Sequence, residues 1–384
     1  GSLGSLHGTR QPPGLTGHAP GITMKPGYAG ESDMSLHGLG LVGRLSKPSG
    51  TGWKPVLLNL FAGLVSLLGA VAAAEPPALT TLSDRSLAYR VPDKPYVILK
   101  RADIEAVVVD NRAVDDAVLR GHRAGYNGIG SLKHVRRQEN LFVPAVAGLN
   151  FEHIHDGTIQ ERTVLYEPRN APMELRLVDS FTAELYQKPT PHYGLESCTR
   201  YRLLDDGTIE MSVECIPRRA DFKNGYVGLF WASYIHRPES LDIHFKGHPS
   251  DGPAAAGWIR GVTPAHGTLS THLATGDRRE FPHDPNFPMT LVFNLSKHRY
   301  AEPWYYGVSH GMALILMFRP KDEVRFSQSP SGGGPGNPAW DFQYLIPGYE
   351  VGKRYQLVMR AMYLPYESPE QVERASAPHR KALQ

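Results

Sequence analysis

The sequence has little cysteine and lacks the motifs that mark P-loop phosphate transfer or zinc proteolysis. Its 384 residues include two cysteines, Cys198 and Cys215. It contains no Gly-x-x-x-x-Gly-Lys-Ser/Thr loop, which would cradle a phosphate, and no His-Glu-x-x-His helix, which would hold zinc. Neither cysteine shows a local sign of activation as a nucleophile. These absences exclude P-loop enzymes and zincins. They leave lyase, epimerase and glycosidase chemistry open, because such sites are assembled from separated strands.

Most of the chain also lacks an excess of one charge. The whole sequence has 41 basic and 38 acidic residues. Residues 1–74 hold five of the basic and two of the acidic residues, which leaves 36 of each sign in residues 75–384. A neutral body without a basic run does not attract a polyanion. We therefore expect neither nucleic acid nor an anionic membrane surface as a partner.

The first 74 residues are expected to lie outside the folded body. Residues 1–54 are rich in Gly, Ser, Pro and Leu without a sustained period, as in a disordered leader or upstream sequence. Residues 55–74 are apolar and uncharged, follow three basic residues and end in three alanines, which is the layout of a signal peptide. The alternative is a membrane anchor. We expect cleavage, and hence a secreted or periplasmic protein without an integral membrane span after processing.

Long helical periods are scarce after residue 74, and short runs of β-forming residues recur between turns. Several runs alternate apolar and polar residues, which is typical of a strand with one buried face. Because no linker divides residues 75–384, we expect one all-β domain: a large antiparallel β-sandwich with one or two short helices. The clearest predicted strands are Tyr96–Lys100, Ala106–Asp110, Thr163–Tyr166, Glu174–Val178, Thr199–Leu203, Ile209–Cys215, Val227–Ile235, Leu241–Phe245, Met289–Asn294, Met312–Phe318 and Tyr355–Tyr363.

Two helices are predicted within this pattern. Residues 111–120 carry apolar side chains at helical spacing. Near the C-terminus, Ser368, Pro369 and Gln371 fit the N-cap, the first-turn proline and the glutamine of a capping box. Residues 329–338 form a Gly/Pro/Ser loop, which is either slack or a flap over a groove.

The two cysteines flank a predicted hairpin around Gly207. A two-residue turn would place Cys198 opposite Cys215, close enough for a disulfide. A three-residue loop with Gly207 in the left-handed conformation instead pairs Tyr201 with Met211, so that apolar residues face each other. This second register sends the cysteines to opposite faces. We favour it over the disulfide and predict two free thiols.

The densest polar cluster spans Asn150 to Gly157. In a strand, His153 and His155 point to one face and Glu152 to the other, because side chains alternate. Two imidazoles on one face can share acid–base catalysis or bind a divalent metal, although a metal needs a third ligand that the sequence does not assign. Both histidines are thus candidate catalytic and metal-binding residues, and Asn150 and Glu152 are candidate substrate-binding residues. The alternative is a pair of ordinary strand histidines.

A second cluster, residues 302–311, contains three consecutive aromatic residues. They cannot all face one core from a strand, and Trp and Tyr rings suit the apolar face of a sugar. The same cluster holds a carboxylate and an imidazole that can exchange protons. The alternative is that the aromatic residues pack between sheets. The candidates are, for catalysis, Glu302, Tyr306 and His310, and for substrate binding, Trp304 and Tyr305.

The hairpin sequence at residues 201–209, Tyr-Arg-Leu-Leu-Asp-Asp-Gly-Thr-Ile, resembles one of the galactose mutarotase-like β-supersandwich proteins. Phe326-Ser327-Gln328, Leu345–Gly348 and Tyr355 are similar to the last strands of that family. The resemblance covers residues 90–365 in outline. It implies a supersandwich fold with a sugar-binding concave face.

The catalytic motifs of that family are not matched. Its catalytic histidine lies in an Asn-His-x-Tyr-Phe-like strand, whereas residues 230–234 here read Phe-Trp-Ala-Ser-Tyr. Its catalytic glutamate precedes a glutamine, whereas Phe326 and Ser327 precede Gln328. We therefore do not expect the mutarotase reaction. Trp231 and Gln328 are kept as candidate substrate-binding residues, with a core position as the alternative for Trp231.

Together these patterns predict an exported protein that acts on a poly- or oligosaccharide by lyase, epimerase or hydrolase chemistry. A non-catalytic glycan-binding protein and a structural surface protein are the alternatives. An enzyme requires titratable groups that converge in one cleft, whereas a binding protein needs only an aromatic platform. We predict that residues 150–156 and 302–310 meet across one groove and form the site.

Overall fold

The alternating segments of the sequence fold as strands, as expected for an all-β protein. The structure, a computed structural model, describes residues 77–253, 255–288 and 290–384, so the predictions for residues 1–74 lie outside the described residues. The helices are α1 Arg162–Leu165, α2 Glu167–Asn170, α3 Thr290–Phe293 and α4 Pro369–Ala382. The strands are β1 Tyr96–Arg101, β2 Ile104–Val109, β3 Gly128–His134, β4 Asn150–His155, β5 Met173–Asp179, β6 Thr182–Gln187, β7 Leu195–Leu203, β8 Ile209–Pro217, β9 Tyr226–Ala232, β10 Ile243–Pro249, β11 Gly257–Gly261, β12 Thr271–Ala274, β13 Leu295–Ser309, β14 Met312–Phe318, β15 Arg325–Ser329, β16 Ala339–Pro347 and β17 Tyr355–Pro365.

The strands form a three-stranded sheet, β1-β2-β3, and a fourteen-stranded sheet. The order in the large sheet is β4-β9-β16-β15-β12-β13-β14-β17-β8-β7-β6-β5, with β10 paired to β13 and β11 paired to β10. The β12–β13 pair is parallel, whereas β4–β9 and β9–β16 are antiparallel, like the hairpins. Because the spatial order differs from the chain order, neighbouring strands bring distant parts of the sequence together.

The large sheet folds back on itself around an apolar core. Tyr201 on β7 donates a hydrogen bond of 2.9 Å to the carbonyl of Leu149, beside β4, although β7 and β4 lie near opposite ends of the sheet order. Trp231 is 0% exposed in this core, stacked between Phe151 and Phe342 with ring centroids at 4.9 and 5.3 Å. Its predicted role in substrate binding is wrong, because strand alternation turns its neighbours on β9, and not Trp231 itself, away from the core.

The hairpin between β7 and β8 has the register that apolar matching predicts. Tyr201 pairs with Met211, Cys198 pairs with Glu214, and Gly207 has a φ of +85°. Both cysteines are free and buried. The prediction of two free thiols is confirmed.

Of the two predicted helices, the C-terminal one is confirmed. The Ser368 side chain accepts a hydrogen bond from the backbone N–H of Gln371, and α4 begins at Pro369. Residues 111–120 form turns rather than a helix. There, Asp115 and Asp116 accept backbone N–H groups with their side chains, which offers the chain an alternative to helical hydrogen bonds.

Two predicted strands are helical turns. The segment predicted as a strand over residues 163–166 contains α1, where the carbonyl of Glu161 accepts hydrogen bonds from the N–H groups of Val164 and Leu165. The segment predicted over residues 289–294 contains α3. Both are too short and too local for alternation to distinguish from a strand. In the described part of the chain, no helix is long and apolar enough to cross a membrane.

Candidate functional site

A cleft lies where β4, β9 and β16 run side by side, and it consists of two adjoining chambers. The inner chamber has a volume of about 180 Å³ and the outer chamber about 380 Å³. The inner chamber is lined by Glu152, His153, Leu165, Tyr166, Phe230, Ala232, Tyr234, His266, Pro288, Ser329, Gly332, Ala339 and Asp341. The outer chamber is lined by Ala124, Gly125, Tyr126, Glu152, Arg162, Thr163, Tyr166, Arg169, Asn170, Tyr234 and Gly332.

A β-bulge places Glu152 and His153 on the same side of β4. Phe151 lies opposite Trp231 and His153 lies opposite Phe230, so Glu152 has no partner residue on β9. An extra residue in one strand interrupts the alternation of its side chains. The prediction that Glu152 and His153 point to opposite faces is therefore wrong. Both side chains line the inner chamber.

The Glu152 carboxylate is buried and held by two donors. The Tyr234 hydroxyl lies 2.7 Å from each carboxylate oxygen, and Nη1 of Arg169 lies 3.2 Å from Oε1. Burial raises the pKa of Glu152, and the Arg169 charge and the Tyr234 hydrogen bond oppose that rise. A carboxyl group whose pKa is moved towards neutral pH is suited to exchange protons with a substrate.

His153 is fixed in one tautomer. Its Nδ1 lies 2.9 Å from the carbonyl of Leu165, which can only accept, so Nδ1 carries the hydrogen. Nε2 is then the basic nitrogen, and it lies 3.7 Å from Oε1 of Glu152, beyond hydrogen-bond distance. Burial lowers the pKa of His153 to about 3. The ring is therefore neutral over the range in which imidazoles usually titrate.

Asp341 supplies a second carboxyl group to the inner chamber. It is 2% exposed, and its Oδ1 accepts a hydrogen bond of 3.1 Å from the backbone N–H of Ser233. Burial, and then the charge of Glu152, raise the pKa of Asp341 well above its usual range. Both causes favour the protonated form of Asp341 beside Glu152. Two carboxyl groups in one cleft are suited to the roles of acid and base.

The Gly/Pro/Ser loop over residues 329–338 borders both chambers, as expected for a segment over a groove. Gly332 lines each chamber, and a Cβ there would lie 2.8 Å from Cβ of Ala339 and 3.1 Å from Cε1 of Tyr234. The close approach requires a residue without a side chain. The Ser329 hydroxyl is buried and has no hydrogen-bond partner among the described residues. It faces the inner chamber.

His155 points to the same face as His153, as predicted, but it lies outside the chambers. Its ring is 0% exposed and packs against Tyr226, Phe287 and Phe293 at centroid distances of 6.1, 5.3 and 6.1 Å. The predicted metal site is not supported, since no group of three or more His, Cys, Asp or Glu in the described residues is placed to bind a metal. The structure also gives no support to a catalytic role for His155, because its buried ring lies outside both chambers.

The second cluster does not reach the cleft. None of the described residues 302–310 lines either chamber, and four strands separate β13 from β4 in the sheet order. Glu302 accepts hydrogen bonds from Nε1 of Trp304 at 2.8 Å and from Nη1 of Arg380 on α4 at 2.6 Å. Tyr306 is 1% exposed and stacks on His244. The predicted convergence is wrong, because the side chains of β13 that face away from the core are covered by α4 and its surroundings.

The remaining members of that cluster have structural positions. Tyr305 is 0% exposed and donates a hydrogen bond of 3.1 Å to the Asp341 carbonyl, so it supports the cleft from beneath and cannot touch a ligand. His310 lies in the turn after β13, where its backbone N–H donates to the Glu239 carboxylate at 2.6 Å. Residues 307–311 have the Gly-x-Ser-x-Gly spacing of a nucleophile elbow. They form a β-hairpin, however, and not the strand–turn–helix that the motif requires.

Asn150 and Gln328 are also engaged within the fold. Oδ1 of Asn150 accepts a hydrogen bond of 3.2 Å from the backbone N–H of Asn127. Nε2 of Gln328 donates to the Gly261 carbonyl at 2.8 Å, and its Oε1 lies 2.7 Å from Nε2 of His272. Both side chains are 0% exposed, and neither lines a chamber. The structure therefore gives no support to a role of either amide in binding a substrate in the cleft.

Three residues of the cleft were not predicted from the sequence: Tyr234, Asp341 and Arg169. Asp341 is the lone acid within Ala339–Phe342, and this was a signal available in the sequence. Tyr234 and Arg169 had no such signal. Arg169 lies in α2, which packs against the bulged strand β4.

Solved structures similar to the chain have sugar-converting enzymes among them. One is a putative aldose 1-epimerase from Escherichia coli K12, with 10% identity, a TM-score of 0.42 and coverage of 71% of this chain and 99% of that one. A galactose 1-epimerase from Lactobacillus acidophilus has 11% identity, a TM-score of 0.36 and coverage of 73% and 100%. A heparan sulfate lyase from Pedobacter heparinus has 9% identity, a TM-score of 0.33 and coverage of 72% and 37%.

These likenesses agree with the mutarotase-like resemblance of the sequence. At such identities and TM-scores they carry no argument about activity, which has to come from the cleft itself. No family model and no curated protein matches the chain.

Proposed function

We propose that the chain is a carbohydrate-active enzyme that transfers protons to and from a saccharide bound in the inner chamber. One observation carries the proposal: Glu152, Asp341 and the basic nitrogen of His153 all belong to one small chamber. Buried titratable groups with shifted pKa values that converge in a cleft are typical of catalytic sites.

The roles follow from the directions of the pKa shifts. Asp341, whose pKa is raised by burial and by the charge of Glu152, is the general acid that gives a proton to a sugar oxygen whose bond to carbon breaks. Glu152, or Nε2 of His153, is the general base that takes a proton from a hydroxyl group, a carbon or a water molecule. When the base removes the proton, the electron pair of that O–H or C–H bond forms a new bond to carbon. The electron pair of the broken C–O bond stays on the leaving oxygen, which takes the proton of Asp341. The same balance serves an epimerase of the anomeric carbon, a lyase or a hydrolase.

The outer chamber supports a saccharide as the ligand. Tyr126 and Tyr166 present rings there, and the guanidinium of Arg169 lies 3.7 and 4.9 Å from their centroids. Aromatic rings with polar handles suit a sugar, which has an apolar face and a rim of hydroxyl groups. A non-catalytic glycan-binding protein would need these rings but not the carboxyl pair beneath them, so the enzyme is the better account.

The test compares His153→Gln with the matched control His310→Gln. Both histidines were candidates on sequence, but only His153 lines the cleft. The wild type and both variants are incubated with neutral, uronate-containing and sulfated oligosaccharides. New reducing ends, new carbon–carbon double bonds and anomer exchange are measured in parallel. We expect His153→Gln to lower kcat by about a hundredfold or more, since general acid–base catalysis contributes about 10²–10⁴, while His310→Gln keeps the wild-type rate.

Binding of the same oligosaccharides separates the two functional classes. If the wild type binds a saccharide but converts none of the panel, the glycan-binding alternative replaces the enzyme. Equal losses in both histidine variants would contradict the proposal. No loss in either would exclude His153 as the base and leave that role to Glu152.

A further inference from the structure

The charged side chains of the outer chamber do not balance. Among the described residues that line it, two are cationic, Arg162 and Arg169, and one is anionic, Glu152. The Glu152 carboxylate is already paired with Arg169 and bonded to Tyr234. The second positive charge, on Arg162, therefore has no counterpart in the chamber. This local excess contrasts with the equal numbers of acidic and basic residues in residues 75–384.

Arg169 is held rigidly as one wall of this chamber. Its Nε donates a hydrogen bond of 3.0 Å to the Gly125 carbonyl, and its guanidinium lies over Tyr126. Because the guanidinium already donates hydrogen bonds to Gly125 and Glu152, it loses little side-chain entropy when a further acceptor binds. It is therefore preorganised for a ligand that enters from the outer chamber.

Arg162 is available to a ligand. Its guanidinium lies 5.3 Å from the centroid of Tyr166, and among the described residues it makes no hydrogen bond or ion pair. The residue is exposed at the first position of α1, on the same chamber wall as Tyr166. Its charge is close enough to act on both Glu152 and Tyr166. Arg162 and Arg169 thus flank Tyr166 with cationic groups on the same side of the cleft.

We propose that the outer chamber binds an acidic sugar residue, whose anionic group lies between Arg162 and Arg169 while its ring lies beside Tyr166. This inference rests on the proposed function and names its substrate class. Guanidinium groups bind carboxylate and sulfate groups through paired N–H donors, and such charge-assisted hydrogen bonds are stronger than those to a sugar hydroxyl. A neutral sugar would leave the Arg162 charge uncompensated. A carboxylate and a sulfate group share the chemistry that the two arginines recognise, which is an anionic oxygen group on a saccharide.

The experiment measures dissociation constants by titration calorimetry for three probes. The first is an oligosaccharide that contains glucuronate, the second is the same oligosaccharide with its carboxyl groups reduced to alcohols, and the third is a sulfated neutral oligosaccharide. The proteins are the wild type, Arg162→Gln, Arg162→Lys and the control Arg374→Gln, since Arg374 is exposed on α4. Each titration is repeated at low and at high salt.

We expect the glucuronate probe to bind the wild type more tightly than its reduced form. Arg162→Gln should weaken that binding about tenfold without affecting the reduced probe, because a hydrogen bond to a charged group is worth about 1.5–3 kcal/mol and tenfold is about 1.4 kcal/mol. Arg162→Lys should recover part of the loss, and Arg374→Gln should change nothing. Tighter binding of the sulfated probe than of the glucuronate probe would assign the anion as sulfate and still support the inference.

Equal affinities for the glucuronate probe and its reduced form, unchanged in Arg162→Gln, would overturn the acidic-substrate inference. In that case the proposed enzyme stands if the reduced probe is converted in a manner that depends on His153. If no probe is bound or converted at all, the proposed function fails as well, so the two failures are distinguished.

Discussion

Buried histidines couple the stability of this protein to pH. Burial lowers the pKa of His153 and of His155 to about 3, and that of His272 to about 4. The unfolded chain binds protons at these residues below about pH 6.5, whereas the folded chain does not until the pH approaches the lowered values. Stability is therefore fully present above about pH 6.5 and is lost as the pH falls from about 6.5 towards 3.

His155→Phe should remove part of this acid sensitivity. Neither ring nitrogen of His155 has a hydrogen-bond partner among the described residues, and aromatic rings surround it. A phenyl ring therefore fits the site and cannot titrate. At pH 5 a neutral buried histidine costs about 2 kcal/mol relative to pH 7, from the difference between the folded and unfolded pKa values. We expect the free energy of unfolding of His155→Phe to fall by about 2 kcal/mol less than that of the wild type between pH 7 and pH 5.

The matched control for this prediction is His283→Phe. Both histidines contact Phe293: His283 stacks on it at a centroid distance of 4.0 Å, and His155 meets it edge-on at 6.1 Å. His283, in contrast to His155, is exposed. Denaturant unfolding curves at the two pH values provide the measurement. A control that changes the pH dependence as much as His155→Phe would show that burial at His155 is not the cause.

The lowered pKa of His153 also corrects an expectation from the sequence. A catalytic histidine at its usual pKa would make activity fall as the pH drops through the imidazole range. Because His153 stays neutral there, we do not expect its protonation to lower activity, and we expect an acid loss of activity to follow protonation of Glu152, whose pKa is raised by burial. At the alkaline end, activity should fall when Asp341 loses its proton.

At the scale of single elements, the bulge in β4 decides the composition of the cleft. In the structure Phe151 and Ile154, three residues apart, both lie in the core. Alternation alone predicts the shared face of His153 and His155, but it would place Phe151 on that face too. It does not predict an extra residue, since a bulge depends on the register with β9, which lies more than 70 residues further along the chain. Hairpins such as β7–β8 were predictable in register because their partners are adjacent in sequence.

Deletion of Glu152 tests the bulge directly. Without this residue, Phe151, His153 and Ile154 follow one another in regular alternation, with Phe151 and Ile154 still in the core. We expect the deletion variant to fold, with a near-ultraviolet circular dichroism spectrum like that of the wild type, and to lose turnover. Its control is deletion of Phe151, which would shift core residues to the wrong face and should prevent folding. If the Glu152 deletion also fails to fold, the bulge is needed by the sheet and not only by the cleft.

At the scale of the whole molecule, the sequence predicts the class of fold better than the location of the site. Strand alternation and turn spacing are local properties, so they identify an all-β sandwich. The cleft, in contrast, combines Glu152, Tyr234 and Asp341 through the β4-β9-β16 order, which follows from pairing between distant segments. The two polar clusters of the sequence therefore lie apart: part of residues 150–157 lines the cleft, whereas residues 302–311 lie near α4 and outside the cleft.

In the proposed mechanism Glu152, and not Glu302, exchanges protons with a saccharide. The most direct measurement is kcat for Glu152→Gln and Glu302→Gln on the oligosaccharide that the wild type converts fastest. The amide keeps the size of either side chain but cannot act as a base. We predict that Glu152→Gln lowers kcat by about 10²–10⁴ while its binding of the oligosaccharide persists, and that Glu302→Gln retains the wild-type kcat. A fully active Glu152→Gln variant, or an equal loss of kcat in Glu302→Gln, would contradict proton exchange by Glu152.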